Sequence, residues 1–369
     1  MKDLDAAIKY CINKVDKCME TMNGLYPAEA SVDEIYPPIT YDFGTWTQGF
    51  WTGMVWLAYE FTGDEKYKKL ALRHVDEFSD RIKNKIGVNH HDMGFLYCPS
   101  CVAAYKLCGS EKAKEAAVLA AENLCTRFNE KAGFIQAWGE IGAEDNFRLI
   151  IDCLLNIPLL FWASDVTGNE KFRKIAETHL DTAVKYVIRE DGTTFHTYFF
   201  DTKTYAPLHG ATHQGYSDDS IWARGQAWGI YGTALGYLHT KHHDLVDKFN
   251  LVTRVFIEHL PSDNIPAWDM IFTDTKTIKD TSAAAIAVCG ILQMKELIKL
   301  DKSFEDAADK MMDALPSCYT REESNGILGH AVYGMPQKSG VDECNIWGDY
   351  FYMEALMRIK NPSWNSYWK

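Results

Sequence analysis

Asp152 stands in the run LIIDCLLNIPLL, where Asn156 is the only other polar residue. A carboxyl surrounded by side chains that face protein must be hydrogen-bonded or neutral, because an unpaired buried charge is costly. Desolvation also raises its pKa toward the range in which a carboxylic acid delivers a proton near neutral pH. The plainer alternative is an aspartate that braces neighbouring backbone. A second aspartate, Asp92, sits in NHHDMGFLY, immediately before another apolar run. It can N-cap the helix that follows, a role worth about 1 kcal/mol. His90, His91 and Asp92 as metal ligands is a further reading. Adjacent residues rarely converge on one ion, and no HExxH pattern or spaced histidine pair supports it. No metal or cofactor is expected.

Four tryptophans accompany these carboxyls. Trp46, Trp138, Trp222 and Trp228 fall near the starts of apolar runs, where an indole face can pack on a sugar ring or fill the core. Arg224 lies between two of them, and its burial requires an acceptor: Asp218, Asp219 or a ligand. His196, His213 and His330 are spread widely enough to allow a histidine acid–base pair, as a sugar epimerase needs. Cys98-Pro-Ser-Cys101 has redox spacing but lacks the strand–helix–strand context of a thioredoxin-like motif.

The elements that must hold these residues repeat. The turns TGDEKYKK (62–69), CGSEKAKE (108–115) and TGNEKFRK (167–174) each follow an apolar helical run and precede an amphipathic one. Gly63, Gly109 and Gly168 fit helix C′ positions, where φ is positive. The Asp, Ser or Asn after each fits an N-cap. Beyond the first turn, Tyr67, Leu70, Ala71, Val75 and Phe78 form one stripe at helical spacing. The runs before the turns, such as FWTGMVWLAYEF (50–61), are apolar on most faces, so they are buried on both sides.

Such runs begin near residues 47, 95, 151, 224, 281 and 346. Six buried helices paired with amphipathic ones predict an all-α fold, the (α/α)6 barrel of two concentric helical rings. An open solenoid would leave the apolar helices without a partner surface. TTFHTYFFDTKTYAP (193–207) is the best candidate for a short β-hairpin. No linker splits the chain, so one domain over 1–369 is expected. Polar and aromatic residues recur before each apolar run, which predicts a shared cavity at one end of the barrel.

A formal charge of -13 argues against nucleic acid as the main partner. The N-terminal segment lacks a signal-peptide core and no run is long enough to span a membrane. Ten scattered cysteines, several in apolar stretches, suit free thiols in a reducing cytoplasm. A monomer or homodimer is expected.

HDMGFLY, IDCLLNIPLL, GYSDDSIWARGQAWGIYG and DECNIWGDYFYMEAL, in this order, resemble the unsaturated glucuronyl hydrolases of glycoside hydrolase family 88. The related unsaturated rhamnogalacturonyl hydrolases share the barrel and a similar aspartate pair. The resemblance implies an (α/α)6 barrel that releases 4,5-unsaturated glucuronic acid from lyase-generated oligosaccharides by hydrating the C4=C5 bond. It places proton donation on Asp152, the second essential carboxylate on Asp92, and support of Asp92 on His91. It implies substrate contacts from Gly210, Thr212, Gln214, Arg224, Trp228 and a stacking Trp46, with His196 and Trp222 also matching. Members that prefer sulfated substrates carry Ser-x-x-Ser-x-Lys ahead of the sixth run. Here MPQKSGVDECN offers Ser339 and Lys338 without the full pattern.

Overall fold

The computed structural model describes residues 3–369. The chain alternates between two rings of helices. After the outer helix α1 (Leu4–Met22) come the inner α2 (Gln48–Thr62) and outer α3 (Glu65–Lys83). The second inner helix is built from α4 (Met93–Tyr97), a π-helical turn (Cys98–Val102) and α5 (Ala103–Cys108), followed by outer α6 (Glu111–Cys125). Inner α7 (Pro158–Thr167), α9 (Ala223–Thr240), α11 (Thr281–Lys295) and α13 (Ile346–Lys360) alternate with outer α8 (Glu170–Val187), α10 (Asp244–Glu258) and α12 (Lys302–Ala314). Each inner helix packs on the next, and α13 packs back on α2, which closes the ring. The expected (α/α)6 barrel is the fold.

Local chemistry sets the hairpins. Gly63, Gly109 and Gly168 have φ of 70°, 65° and 71°, and nothing lies within 4 Å of where a Cβ would stand. Left-handed backbone, not lack of space, selects glycine there. Asp64, Ser110 and Asn169 then accept hydrogen bonds from the backbone N–H groups of Lys66, Ala113 and Lys171. Outer α3 buries one stripe, including Tyr67, Ala71, Val75, Phe78 and Ile82, whereas inner α9 is buried throughout Ala223–Tyr237. The Cys98-Pro-Ser-Cys101 segment is the π-helical turn. Pro99 has no N–H for the ordinary helical bond, and the widened turn is buried within the core. Both thiols are free and buried, so the spacing serves packing.

At the end where inner helices begin, short antiparallel strands dress the loops. Thr197–Phe200 pairs with Pro207–Ala211, which is the expected hairpin, and a third strand, Arg148–Ile150, adds to its edge. Ala331–Gly334 pairs with Ser339–Glu343 ahead of α13. Among the described residues no helix is long and apolar enough to cross a membrane.

Candidate active site

All six inner-helix starts converge on one cavity of about 220 Å³, five through its walls. Gly44, Thr45 and Trp46 come from the loop before α2, and His90, His91 and Asp92 from the loop before α4. Trp138, Ile150 and Asp152 precede α7; His196, Gln214, Trp222, Arg224 and Trp228 precede or open α9; Tyr333 lies on the hairpin before α13. The sixth start, that of α11, supplies Asp280 behind Arg224. A roomier groove of about 560 Å³ lies outside the barrel, on α3 and the start of α6. Its Lys66 and Lys112 are already paired with Asp16 and Asp76, and it holds no reactive constellation.

Asp152 lies in a 3-10 turn (Ile151–Leu155) between the strand Arg148–Ile150 and α7. The strand turns into the barrel at this point and carries the carboxyl to the cavity wall. Gly94 makes the approach of the second carboxyl possible. A Cβ on Gly94 would stand 2.4 Å from Cα of Asn156, so only glycine lets the start of α4 press against the Asp152 turn. Asn156 locks the contact, accepting from Phe95 N at 2.9 Å and donating to Oδ1 of Asp92 at 3.4 Å. Asp92 occupies the N-cap position, yet its carboxyl makes no capping bond; its side chain serves the cavity instead.

His91 stands between the two carboxyls. Its Nε2 is 3.3 Å from Asp92 Oδ1 and 3.4 Å from Asp152 Oδ1. Its Nδ1 has no hydrogen-bond partner, so the proton belongs on Nε2, where both carboxyl oxygens face it. The approach to Asp152 falls short of hydrogen-bond geometry, and Asp152 Oδ1 is buried without a partner. Burial holds the His91 pKa down at about 4, so the ring is neutral near pH 7. Burial and the neighbouring Asp92 charge push the Asp152 carboxyl well above the usual range. Burial opposes the Asp92 charge too, but His91, His90 and the Asn156 amide outweigh it and keep that carboxyl low. One acid is therefore held protonated beside one held ionised, the arrangement of an acid–base pair. These side chains expose 19% and 15% of their surfaces, enough for substrate to reach both.

The three groups His91, Asp92 and Asp152 offer donor atoms within 4.8 Å of one another, a different trio from the His90–His91–Asp92 considered above. A cation bound there would have to displace the proton that burial holds on Asp152.

The aromatic wall is as expected at Trp46, Trp138, Trp222 and Trp228. Trp46 donates its Nε1–H to Tyr333 Oη at 3.1 Å. Arg224 bonds to Asp280 at 3.0 Å, to the Val332 and Tyr333 carbonyls and to Gln214 Oε1. Its partner is thus Asp280 and not Asp218 or Asp219. Asp218 instead accepts from Thr212 N at 2.7 Å. Held by four acceptors, Arg224 fixes Gln214 and the 331–343 hairpin around the cavity. His196 accepts the His213 and Gln214 N–H groups at Nδ1, at 2.8 and 3.3 Å, leaving its proton on Nε2. Burial pushes its pKa well below the ordinary value, so it is a neutral donor.

Three expected contact residues stand off the cavity wall. Gly210 is in the strand Pro207–Ala211, where a Cβ would meet the Phe195 ring at 2.2 Å. Thr212 shapes the following loop by accepting from Gly215 N. Ser339 is exposed at the start of its strand. His330 pairs with Asp342 on the exposed hairpin, and His213, although its ring centroid is 6.3 Å from that of His196, does not line the cavity, so of the three only His196 faces it. Sequence reasoning missed Tyr333 altogether, although the β-favouring Val332 and Tyr333 just before the turn GMPQ signal the strand that carries it.

Paired carboxyls of opposite protonation in an aromatic cleft, on an (α/α)6 barrel, suit the acid-catalysed hydrolysis of carbohydrates. The chain belongs to Glycosyl Hydrolase Family 88, whose sequence profile matches residues 14–362. It is 44% identical to the unsaturated chondroitin disaccharide hydrolase of Streptococcus pneumoniae (strain ATCC BAA-255 / R6), over 100% of this chain and 94% of that one. The crystal structure of unsaturated glucuronyl hydrolase from Streptococcus agalactiae superimposes with a TM-score of 0.96 at 45% identity, covering 99% of this chain and 93% of that one. An aspartate-to-asparagine mutant of that enzyme complexed with dGlcA-GalNAc6S matches with a TM-score of 0.88 at 42% identity, covering 99% and 93%.

Proposed function

We propose that this chain hydrates the C4=C5 double bond of a 4,5-unsaturated glucuronic acid at the non-reducing end of chondroitin-type disaccharides. The observation that carries this reading is the unpartnered Oδ1 of Asp152, facing His91 beside an ionised Asp92. The protonated Asp152 gives its proton to C4, and the ring oxygen stabilises the positive charge that develops at C5. Ionised Asp92 stabilises that charge electrostatically. A water then adds to C5 as Asp152, now a carboxylate, takes one of its protons and is restored. The resulting hemiketal opens and expels the neighbouring sugar. Neutral His91, with its proton on Nε2, stands between the two carboxyls without adding charge. Trp46, Trp222 and Trp228 enclose the unsaturated ring, and Gln214 and His196 offer polar contacts to it. Trp138, 38% exposed, is placed to stack on the next sugar.

A reducing cytoplasm suits this protein, in line with ten unpaired cysteines, eight of them buried. The decisive experiment follows loss of the ultraviolet absorbance of the conjugated uronate, using unsulfated, sulfated and rhamnose-linked unsaturated disaccharides in parallel. Rapid loss with the glucuronyl–hexosamine substrates is expected, with the unsulfated one accepted at least as well as the sulfated. Turnover of the rhamnose-linked substrate alone would replace this reading with the rhamnogalacturonyl one.

A further inference from the structure

Arg127 lies just past the C-terminus of α6, on the strand-bearing end of the barrel, and is only 2% exposed. It makes no ion pair among the described residues. Its donors go to three points on two loops: Nε to Gln136 O at 2.8 Å, Nη1 to Asn89 Oδ1 at 2.6 Å and Asn89 O at 3.3 Å, and Nη2 to Gly139 O at 3.0 Å. A buried guanidinium satisfied only by neutral acceptors is a costly arrangement for a mere brace. Asn89 begins the His90–His91–Asp92 loop, and Gln136 and Gly139 flank Trp138. The two loops are joined again by His91 N donating to Ala137 O at 2.7 Å. Behind Trp138, Gln136 Nε2 bonds to the Trp138 and Glu140 carbonyls at 3.0 and 2.8 Å.

Asp92 is the one carboxylate whose field supports the Arg127 charge, while Arg127 in turn helps keep His91 neutral. The other groups facing Asp92 are His90 at 3.0 Å, His91, and Asp152 across the His91 ring; Tyr333 also feels its charge. Arg148 acts on His91, and Arg224 on Asp152.

We infer that Arg127 is a positioning residue for the hydration reaction, fixing the Asp92 loop against the Trp138 loop and placing a permanent cation behind the ionised carboxylate. This rests on the hydrolase reading for its kinetic consequences but not for its electrostatic ones. Without Arg127, Asp92 loses its distant counter-charge and the two loops lose their common anchor. Displacement of about 1 Å at a reacting centre costs about 100-fold in rate.

The test compares Arg127→Met, which removes charge and donors at similar volume, with Arg127→Lys, which keeps the charge but cannot reach all three points. Two readouts are needed: the pH profile of kcat/KM, and the titration of the His91 imidazole followed by nitrogen NMR without substrate. In Arg127→Met the acid limb is expected to move to higher pH and kcat/KM to fall about 10- to 100-fold. The His91 midpoint should rise by about half a pH unit or more. Arg127→Lys should restore both pH features while keeping a raised KM. A brace without electrostatic effect would lower the melting temperature and leave acid limb and His91 midpoint in place, which overturns the proposal. If Arg127→Met does not fold, Arg127→Lys decides, and an unchanged KM there counts against Arg127. A His91 shift in a protein whose wild type spares every unsaturated disaccharide would sustain the placement of Arg127 and retire the hydrolase reading instead.

Discussion

Asp92 and Asp152 meet through a single imidazole nitrogen, Nε2 of His91, which lies 3.3 Å from an oxygen of one and 3.4 Å from an oxygen of the other. Because that ring is neutral near pH 7, it cannot equalise the two carboxyls by charge. Their protonation states separate instead, one lowered and one raised.

The separation predicts a bell-shaped pH dependence of kcat/KM. Activity should appear as Asp92 ionises at low pH and fade as Asp152 loses its proton at a pH well above the usual carboxylate range. Asp152→Asn should lower kcat by about 10²- to 10⁴-fold with unchanged circular dichroism. In Asp92→Asn the charge that helps keep Asp152 protonated is gone, so the basic limb of any residual activity should shift to lower pH. A basic limb that stays put in this variant would detach Asp152 from that limb.

Gly94→Ala should act at a distance from any substrate contact. Its new Cβ would fall 2.4 Å from Asn156 Cα, so the start of α4 must back away from the Asp152 turn. Overpacking of this kind costs about 1–3 kcal/mol. The displaced Asp92 should lower kcat by about 100-fold while KM changes little. Steady-state kinetics on the folded variant check this, and a normal kcat would show that the close approach is not needed for chemistry.

The architecture was legible because its signals are local. Glycine and a capping side chain at the ends of adjacent helices, as at Gly63–Asp64, need no knowledge of the rest of the chain. The apolar runs likewise report their own burial. The cavity was legible only at residues whose types are out of place, such as Asp152. Arg224 shows where local reading stops. Asp218 and Asp219 are near in sequence, but Asp218 is engaged with Thr212, and the ion pair forms with Asp280 at the start of the next inner helix. The structure likewise gives Gly210 and Thr212 structural reasons for their types, a tight packing against the Phe195 ring and a loop bond to the Thr212 hydroxyl, that sequence alone did not separate from ligand contact. Tyr333 sits on a local hairpin with Ser339–Glu343, but its place in the wall comes from meeting Trp46, whose Nε1 donates to it from the far end of the chain, a contact no local pattern shows.

A buried carboxyl away from the cavity gives a pH effect on stability. Asp349, fully buried on α13, accepts from Tyr36 Oη, Ile327 N and Leu328 N at 2.9, 3.0 and 2.9 Å. Burial nevertheless pushes its pKa up to about 7, above its unfolded value of 3.8. The folded state therefore binds this proton more tightly than the unfolded chain. Stability from this group is fully present below pH 3.8 and is lost progressively as pH rises to about 7, then stays constant. Relative to Asp349→Asn, wild-type unfolding free energy should fall across that window by up to about 4 kcal/mol. Denaturant melts of both proteins at several pH values measure it, and parallel curves would contradict the assignment.

The floor of the cavity depends on the last residues of the chain. Trp368 is fully buried at the opposite end of the barrel, where its Nε1 donates to Glu354 Oε2 at 2.8 Å. Its ring stacks on Phe351 and meets the edge of Phe95, with centroids 6.1 and 6.4 Å apart. Phe95 in turn packs on Trp46 and Trp228 in the cavity wall, at 5.5 and 5.3 Å. Lys106 pins the segment by donating to the Ser366 and Lys369 carbonyls. Trp368→Ala should therefore cost about 3–5 kcal/mol. At this chain length that corresponds to a melting temperature lower by about 5 °C. Relaxation of Phe95 toward the vacated space should also loosen the two cavity tryptophans and raise KM severalfold at a temperature where the variant is folded. Calorimetry and kinetics on the same preparation separate the two effects: a lowered melting temperature with an unchanged KM would mean that Phe95 holds its place without the tail.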